Sequence, residues 1–392
     1  MLAETLTFGC RLNIAESETM RRLAGDMDAL IVNTCAVTGE AEAQARQAIR
    51  RAAREKPGRP ILVTGCAAQI NPGAWAALPG VARVIGNGAK LDRARWDAPV
   101  AAMDREAPIG LAAGGGTRAF LAVQQGCDHA CTFCIIPAGR GPARAMPVDQ
   151  AVAAVRDLAS RHAEVVLTGV DLASHPELPA LIRAVLRAVP ELPRLRLSSL
   201  DPAALDDRFW AVFAEEPRLA PYLHLSAQHG DDLMLKRMKR RHARADVLRV
   251  AARARSLRGD VALGADLIAG FPTEAEAHFA AMEALVAEAG LSFLHVFPYS
   301  ARTGTPAARM PQLPMALRRE RAARLRAAGA AERARFLAAR IGTTAEALFE
   351  ADGRAHTEHF APLRVASPPP AGTLLRLRVA GSDGTTLTGE TI

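Results

Sequence analysis

Cysteine is scarce in this sequence, at six of 392 residues. So few thiols argue against a disulfide framework, and in a reducing compartment they read as metal ligands or catalysts. Aromatic residues are only 4%, so small and branched aliphatic side chains, alanine above all, must close the core. No stretch approaches the ~20 apolar residues needed to cross a bilayer. The first residues, MLAETLTFGCRLNIAESE, lack the basic, apolar and small-residue succession of a secretory signal. The expected location is the cytoplasm, with no membrane partner. A Walker loop, a dinucleotide fingerprint, a zincin motif and a nucleophile elbow are also missing. Present instead is a surplus of positive charge, +8 formally. It suits a polyanionic partner, with tRNA, rRNA and DNA all open on charge alone. Solvated helix faces in an arginine-rich chain would give the same surplus.

The hydrophobic pattern divides the chain. ETLTFGC, ALIVNTC, PILVTGC and VARVIGN read as strands, separated by the helical NIAESETMRRLAGD and GEAEAQARQAIRRAAREK. Asn13 and Glu16 are spaced as a capping box for the first helix. This alternation predicts an α/β domain over residues 1–104, an open parallel sheet covered by helices. Its first three strands each end on a cysteine: Cys10, Cys35 and Cys66. The carboxyl ends of parallel strands share one rim, where ligands bind, so three thiols remote in sequence should meet there. Three unrelated buried cysteines are the competing reading. GLAAGGGTR marks a linker over 105–116.

Over 117–340 the alternation restarts with six strands: TRAFLAVQQGC, EVVLTGV, RLRLSSL, YLHLSA, VALGADLIAGF and FLHVFPYS. Six units predict a partial (β/α)6 barrel or open curved sheet, short of the eight of a full barrel. Thr273 and Glu276 are spaced to cap the helix in TEAEAHFAAMEALVAEAG, with Gly290 as its stop. Residues 341–392 lose helical periodicity, and their short strands and turns predict a small all-β domain of OB-like size. Asp231 and Asp232 read as the start of a helix, and His356 and His359 as polar surface.

Half of the cysteines crowd into GCDHACTFC, as Cys127, Cys131 and Cys134. With His129 they offer four ligands, and zinc is the first candidate. Structural zinc usually takes two separated ligand pairs, whereas this is one compact loop. Three thiolates from a tight loop suit a cubane [4Fe-4S] cluster whose fourth iron stays free to bind a small molecule. The rival from another class is a zinc-stabilised RNA-binding protein without catalytic activity.

The cysteine spacing, with Phe133 before Cys134, resembles the signature loop of radical S-adenosylmethionine (SAM) enzymes. TFGCRLN, VNTCAVT and VTGCAAQ resemble the amino-terminal motifs of the methylthiotransferases in that superfamily. CIIPAGRG, VLTGVDL, RLRLSSLDP, LHLSAQHGDDLMLKRMKRRH, ADLIAGFP and HVFPYSARTGTPAARM resemble their core motifs in order. TEHFAPLRV resembles part of a short TRAM domain, the family's RNA-binding appendix. RLRLSSLDP, LKRMKRRH and FPYSARTGTPAARM look most like the branch acting on N6-threonylcarbamoyladenosine of tRNA. The other branches act on isopentenyladenosine of tRNA or on a ribosomal-protein aspartate, the last echoed by Gln228-His229.

The resemblance implies two [4Fe-4S] clusters, one on Cys127, Cys131 and Cys134 that cleaves SAM to a radical, and an auxiliary one on Cys10, Cys35 and Cys66 that carries the sulfur. Two SAM molecules are implied per turnover. The target is an adenine C2–H, which offers no usable pKa for acid–base catalysis, so cofactor radical chemistry must act. Phe133 falls in the cofactor loop, Gly169 and Asp171 where the methionine amino group binds, and Ser198, Ser199 and Gln228 where ribose or carboxylate contacts fall. Asp266 and Gly270 fall near the adenine. Asn13 and Asn33 flank the amino-terminal cysteines. Lys236, Arg237, Lys239, Arg240 and Arg241 are the candidate phosphate contacts. The implied partners are tRNA at its anticodon region, an electron donor such as flavodoxin or ferredoxin, and a sulfur donor; a monomer is the expected state.

Overall fold

The computed structural model describes residues 3–97, 105–106, 109–110, 112–113 and 116–392. The expected domain boundary at 104 and linker positions 107–108, 111 and 114–115 lie outside the described residues. In the first part, strands β1 (Glu4–Thr7), β2 (Leu30–Thr34), β3 (Ile61–Gly65) and β4 (Val81–Val84) pair in parallel and in sequence order. Between them run α1 (Arg11–Ala24), α2 (Gly39–Glu55), α3 (Cys66–Ile70) and α4 (Pro72–Ala76). Strands β2 and β3 are buried along their whole length, which is why they read as continuous apolar runs rather than alternating ones. The expected capping box does not form. Helix α1 starts at Arg11 with Cys10 at its N-cap, so Asn13 and Glu16 fall inside the helix, both buried.

The second part begins with β5 (Ala112–Ala113), a two-residue antiparallel strand where a linker was expected. It edges a sheet in the order β10 (Arg194–Leu197), β9 (Glu164–Thr168), β6 (Arg118–Ala122), β5. Short strands β7 (Gln124–Gln125) and β8 (Arg144–Ala145) pair antiparallel and pin together the base of the loop that carries Cys127, Cys131 and Cys134. Helices α5 (Ile136–Arg140), α6 (Val148–Ala159), α7 (Leu178–Ala188) and α8 (Asp207–Glu215) follow in this half. A second parallel sheet holds β11 (Tyr222–Gln228), β12 (Ala262–Ala269) and β13 (Leu291–Pro298), interleaved with α9 (Asp232–Arg237), α10 (Arg244–Leu257) and α11 (Glu276–Glu288). The two sheets meet at one parallel bridge, Leu200 to Leu225, and share one hydrophobic core.

Helix α11 ends as expected, with Gly290 at φ +56°. Its start differs: Ala275 is the N-cap, and its N–H goes to His278 Nδ1. Thr273 instead takes φ +67° and its hydroxyl accepts from Arg237.

Helix α12 (Met315–Ala338) leads to a closed barrel of β14 (Thr344–Phe349), β15 (Ala355–Thr357), β16 (Pro362–Arg364), β17 (Leu374–Ser382) and β18 (Leu387–Thr391). This barrel docks on the amino-terminal ends of β6, β9 and β10. Phe360 lies 5.7 Å from the Tyr222 ring and under the guanidiniums of Arg118 and Arg196, each at 5.2 Å. Arg194 reaches Glu346 at 2.9 Å and Arg118 reaches Glu350 at 2.6 Å. His359 is buried and pairs with Asp260 at 2.9 Å, so it is an interdomain tie and not polar surface.

Buried Glu164 accepts from Arg194 and Arg196 at this seam. Burial alone would raise its pKa, but the arginines hold it at about 2. A carboxylate depressed in the folded state adds stability above its unfolded pKa and loses it as pH falls through the folded one. Thermal unfolding of the apo protein is therefore expected to move to lower temperature between pH 4.5 and about 2. Glu164→Gln should cost about 3–5 kcal/mol at neutral pH, because buried guanidiniums lose their partner, and should flatten part of that acid limb. Circular dichroism melts check both.

Candidate active site

Cys10 lies at the start of α1, Cys35 just beyond β2 and Cys66 at the start of α3. Contacts link them: Cys10 Sγ donates to Asn13 Oδ1 at 3.7 Å, Asn13 Oδ1 accepts from Arg140, and Arg140 Nε meets Cys66 Sγ, while Gly9, beside Cys10, packs on Cys35. Two glycines permit the approach. At Gly9 (φ +97°) a Cβ would fall 2.6 Å from Cys35 Sγ; at Gly65 (φ +97°) it would fall 2.3 Å from Thr34 O. Cys35 accepts the Val37 N–H at 3.4 Å, and Cys66 accepts Arg140 Nε at 3.1 Å. Cys10 is open to solvent on one side, yet the surrounding protein still desolvates it and raises its pKa; burial raises Cys35 to about 11.

The second triad sits in the loop after β7. Its sulfurs are met in the same way: Cys127 by the His129 N–H at 3.4 Å, Cys134 by the Ile136 N–H at 3.5 Å, and Cys131 by Arg240 Nη1 at 3.4 Å. Burial raises the Cys127 thiol to about 11 and Cys134 to about 12. The donors aimed at the three sulfurs of this loop oppose that rise, and they suit metal-bound sulfur. All six cysteines are free.

A cleft of about 220 Å³ is lined by chain neighbours of both triads. One wall is Val37 and Thr38, next to Cys35; another is Phe133, from the cysteine loop. Gln228, Asp266 and Ile268 line it from the ends of β11 and β12, and Phe297 to Ser300 from the end of β13. The amino-terminal domain is tied over it on both sides. Gly39 donates to Ser300 Oγ at 3.0 Å, Arg302 pairs with Glu42, and Asn87 Nδ2 donates to Gly139 O at 2.5 Å.

The other expected cofactor residues are placed unevenly. Asp171 lies 2.7 Å from His129 Nε2, and its N–H donates to Gln124 Oε1 at 2.8 Å; burial raises its pKa. Gly169 passes so close to Gln124 that a Cβ would fall 2.8 Å from it. Buried Ser198 has a hydroxyl without a hydrogen-bond partner among the described residues, and Ser199 beside it is half-buried. Gln228 holds φ +65° at a bulge in β11. Its neighbour His229 anchors that turn through buried Glu274 at 3.0 Å. Asp266 accepts from His224 and His295, both at 3.1 Å, and Tyr222 contacts the far nitrogen of His224. A polar chain thus runs from the docked Phe360 up to the cleft. Gly270 does not line the cleft; it is a turn (φ +72°) packed on Arg318, where a Cβ would meet Cγ at 2.6 Å. Asn13 and Asn33 are buried and linked by Asn33 Nδ2 to Asn13 O at 3.0 Å.

The basic cluster divides as well. Lys236, Lys239 and Arg241 are exposed. Arg237 is committed to Thr273, and Arg240 to Cys131, Asp201 and Ser226 O. Sequence reading missed Arg140, Lys90 and Gln124. Arg140 stands in CIIPAGRG, six residues beyond Cys134, but nothing in that spacing says its side chain will reach Cys66.

Two cysteine triads, one at the strand ends of the first sheet and one in the loop after β7, with chain neighbours of each lining one cleft, define a radical SAM protein with an extra cysteine-bearing domain. Residues 121–286 match the radical SAM superfamily, and residues 3–86 match the uncharacterized protein family UPF0004. The chain is 45% identical to the threonylcarbamoyladenosine tRNA methylthiotransferase MtaB of Rickettsia prowazekii, over 96% of this chain and 94% of that one. It is 32% identical to a tRNA-2-methylthio-N(6)-dimethylallyladenosine synthase of Cereibacter sphaeroides, over 98% and 97%. The chain belongs to the radical SAM methylthiotransferase family. Its fold is similar to that of the radical SAM methyltransferase TsrM from Kitasatospora setae, with TM-score 0.56 and 16% identity over 75% of this chain and 66% of that one. Among the described residues no helix is long and apolar enough to cross a membrane.

Proposed function

We propose that this protein is a tRNA methylthiotransferase that inserts a methylthio group at C2 of N6-threonylcarbamoyladenosine, at position 37 beside the anticodon. The single observation carrying the reading is the cleft between Cys35's neighbours Val37 and Thr38 and the cysteine-loop Phe133. A base bound there would touch chain neighbours of Cys35 and of Cys134, one from each triad. The 45% identity to an enzyme named for threonylcarbamoyladenosine supports the choice of substrate.

In this reading residues 1–104 are the methylthiotransferase domain, 105–116 the linker, 117–340 a (β/α)6 radical SAM core, and 341–392 a short TRAM-like domain. Cys127, Cys131 and Cys134 would hold the [4Fe-4S] cluster that binds SAM, and Cys10, Cys35 and Cys66 a second one; when bound, these groups supply the electron and the sulfur that no side chain can supply. The chain's own residues position the reaction. Asp171 and the free Ser198 hydroxyl face the cofactor, and Gln228 and Asp266 hold the nucleoside edge. The apolar Phe133, Ile268 and Phe297 exclude water from the attacked carbon. Lys236, Lys239 and Arg241 are open to tRNA phosphates, whereas Arg237 and Arg240 serve the protein's interior. Two SAM molecules are consumed per turnover, with a flavodoxin- or ferredoxin-like electron donor and a separate sulfur donor, and the enzyme acts as a monomer.

Anaerobic reconstitution should yield about eight irons per chain, as two cubanes require. tRNA nucleosides from a deletion strain should lack the 2-methylthio form of threonylcarbamoyladenosine by mass spectrometry while keeping its unmodified precursor. A colourless zinc-loaded protein, or loss of methylthio-isopentenyladenosine instead, would overturn this assignment.

A further inference from the structure

Arg140 belongs by sequence to the SAM-binding loop, but its side chain is spent on the other triad. Nε donates to Cys66 Sγ at 3.1 Å. Nη1 donates to Glu16 Oε1 at 2.8 Å and Gln125 Oε1 at 3.0 Å, and Nη2 to Asn13 Oδ1 at 2.7 Å and Glu16 Oε2 at 3.2 Å. A guanidinium has five N–H donors in a fixed fork, and here every one has an acceptor. The side chain is 1% exposed. A clamp between domains would need only Glu16 and Asn13. Aiming Nε at a thiol is the part that a clamp leaves unexplained.

The charges around it do not cancel. Lys90, wholly buried, lies 2.5 Å from the same Glu16 carboxylate and donates to Asn87 Oδ1 at 2.8 Å. Two cations therefore share one buried anion, and their other contacts, Asn13, Gln125 and Asn87, are neutral. A buried charge without a counter-charge costs several kcal/mol. The group positioned to supply it is the cysteine triad, since an oxidised cubane on three thiolates carries about one negative charge and gains another on reduction. Glu16 fits the same picture: burial opposes its ionisation, yet Arg140 and Lys90 hold its pKa at about 2.

We infer that Arg140 is a positioning residue for the second cluster: with Lys90 it supplies the surplus positive charge that favours the cluster's reduced form, and its bond to Cys66 fixes that sulfur against the loop holding the other triad. This rests on reading Cys10, Cys35 and Cys66 as cluster ligands. Only arginine suits the position, because lysine keeps the charge but cannot span Cys66, Glu16, Asn13 and Gln125 together.

The test uses the full chain with Cys127, Cys131 and Cys134 changed to alanine, so that one cluster remains. Its iron content is measured first, and its midpoint potential follows by redox titration monitored by electron paramagnetic resonance. Arg140→Gln should move the potential to more negative values, Arg140→Lys should recover part of the shift, and Glu16→Gln should move it the opposite way. Opposite signs for Arg140→Gln and Glu16→Gln are what a merely structural role would not produce. If the background protein binds no iron, the reading of the triad fails and the inference falls with it. If it binds about four irons and neither substitution moves the potential, the inference alone is overturned. Should Arg140→Gln lose its iron, Glu16→Gln decides: a positive shift supports the inference and no shift ends it. If neither variant retains iron, Arg140 and Glu16 are scaffold and the tuning role is wrong.

Discussion

Replacing Cys10, Cys35 and Cys66 together with alanine should abolish methylthio insertion to the detection limit while SAM cleavage continues near the parental rate. The physical ground is separation of the two thiol sets. The loop triad takes its hydrogen bonds from His129, Ile136 and Arg240, and its loop is pinned by the β7–β8 pair. None of these depends on the first triad. Arg140 loses Cys66 and the counter-charge inferred above, so the variant should melt at a lower temperature, but it keeps Glu16, Gln125 and Asn13, and the interface these bonds bridge persists. Iron should fall from about eight to about four per chain, and 5′-deoxyadenosine should still form without methylthiolated tRNA. Loss of cleavage in a folded triple variant would contradict this division of labour. It would mean that the amino-terminal sulfurs are needed to build the SAM site itself.

Gly126→Ala should have the opposite outcome. Gly126 holds φ +70°, and a Cβ there would fall 1.7 Å from Pro142 O. No rotamer relieves a clash with backbone, so the two sides of the cysteine loop must separate at their base. Cys127, the next residue, donates its N–H to Gly141 O at 3.2 Å and would be displaced with them. We expect loss of SAM cleavage, about half the iron retained, and a markedly lower melting temperature. Gly58→Ala is the control: Gly58 has φ +85° with nothing within 4 Å, so it should cost only the conformational penalty of ~1–2 kcal/mol and leave both activities intact. Equal effects from the two substitutions would show that backbone strain, not the loop's closure, is what matters.

Much of this molecule was legible because its signals are local. Strand runs such as ALIV and ILV, the alternation of strands with helices, and three thiols within one loop depend on neighbours a few residues apart. The cysteine at each of the first three strand ends needed one further rule, that parallel strands expose their carboxyl ends on a common rim. The errors have a physical pattern too. Asn13 with Glu16 and Thr273 with Glu276 have capping spacing, but a cap also depends on where the helix begins, and tertiary contacts moved that point in both cases. Asn13 and Glu16 were drawn into the Arg140 network, and Thr273 into a turn holding Arg237. Likewise, charge density marked Arg237 and Arg240 as phosphate contacts. Burial instead gave them Thr273 and Cys131 as partners.

From sequence alone came the alternation of the main strands and helices, the family, and the positions of the six cysteines, since each is written in residue types at short spacings. Only the tertiary structure decided that Arg140 serves Cys66, that Phe360 seals the foot of the core, and which walls form the cleft. Those outcomes join residues tens to hundreds of positions apart. A buried guanidinium or carboxylate settles on whichever partner the packed chain brings within reach, because leaving it unpaired costs more than any local preference can offset.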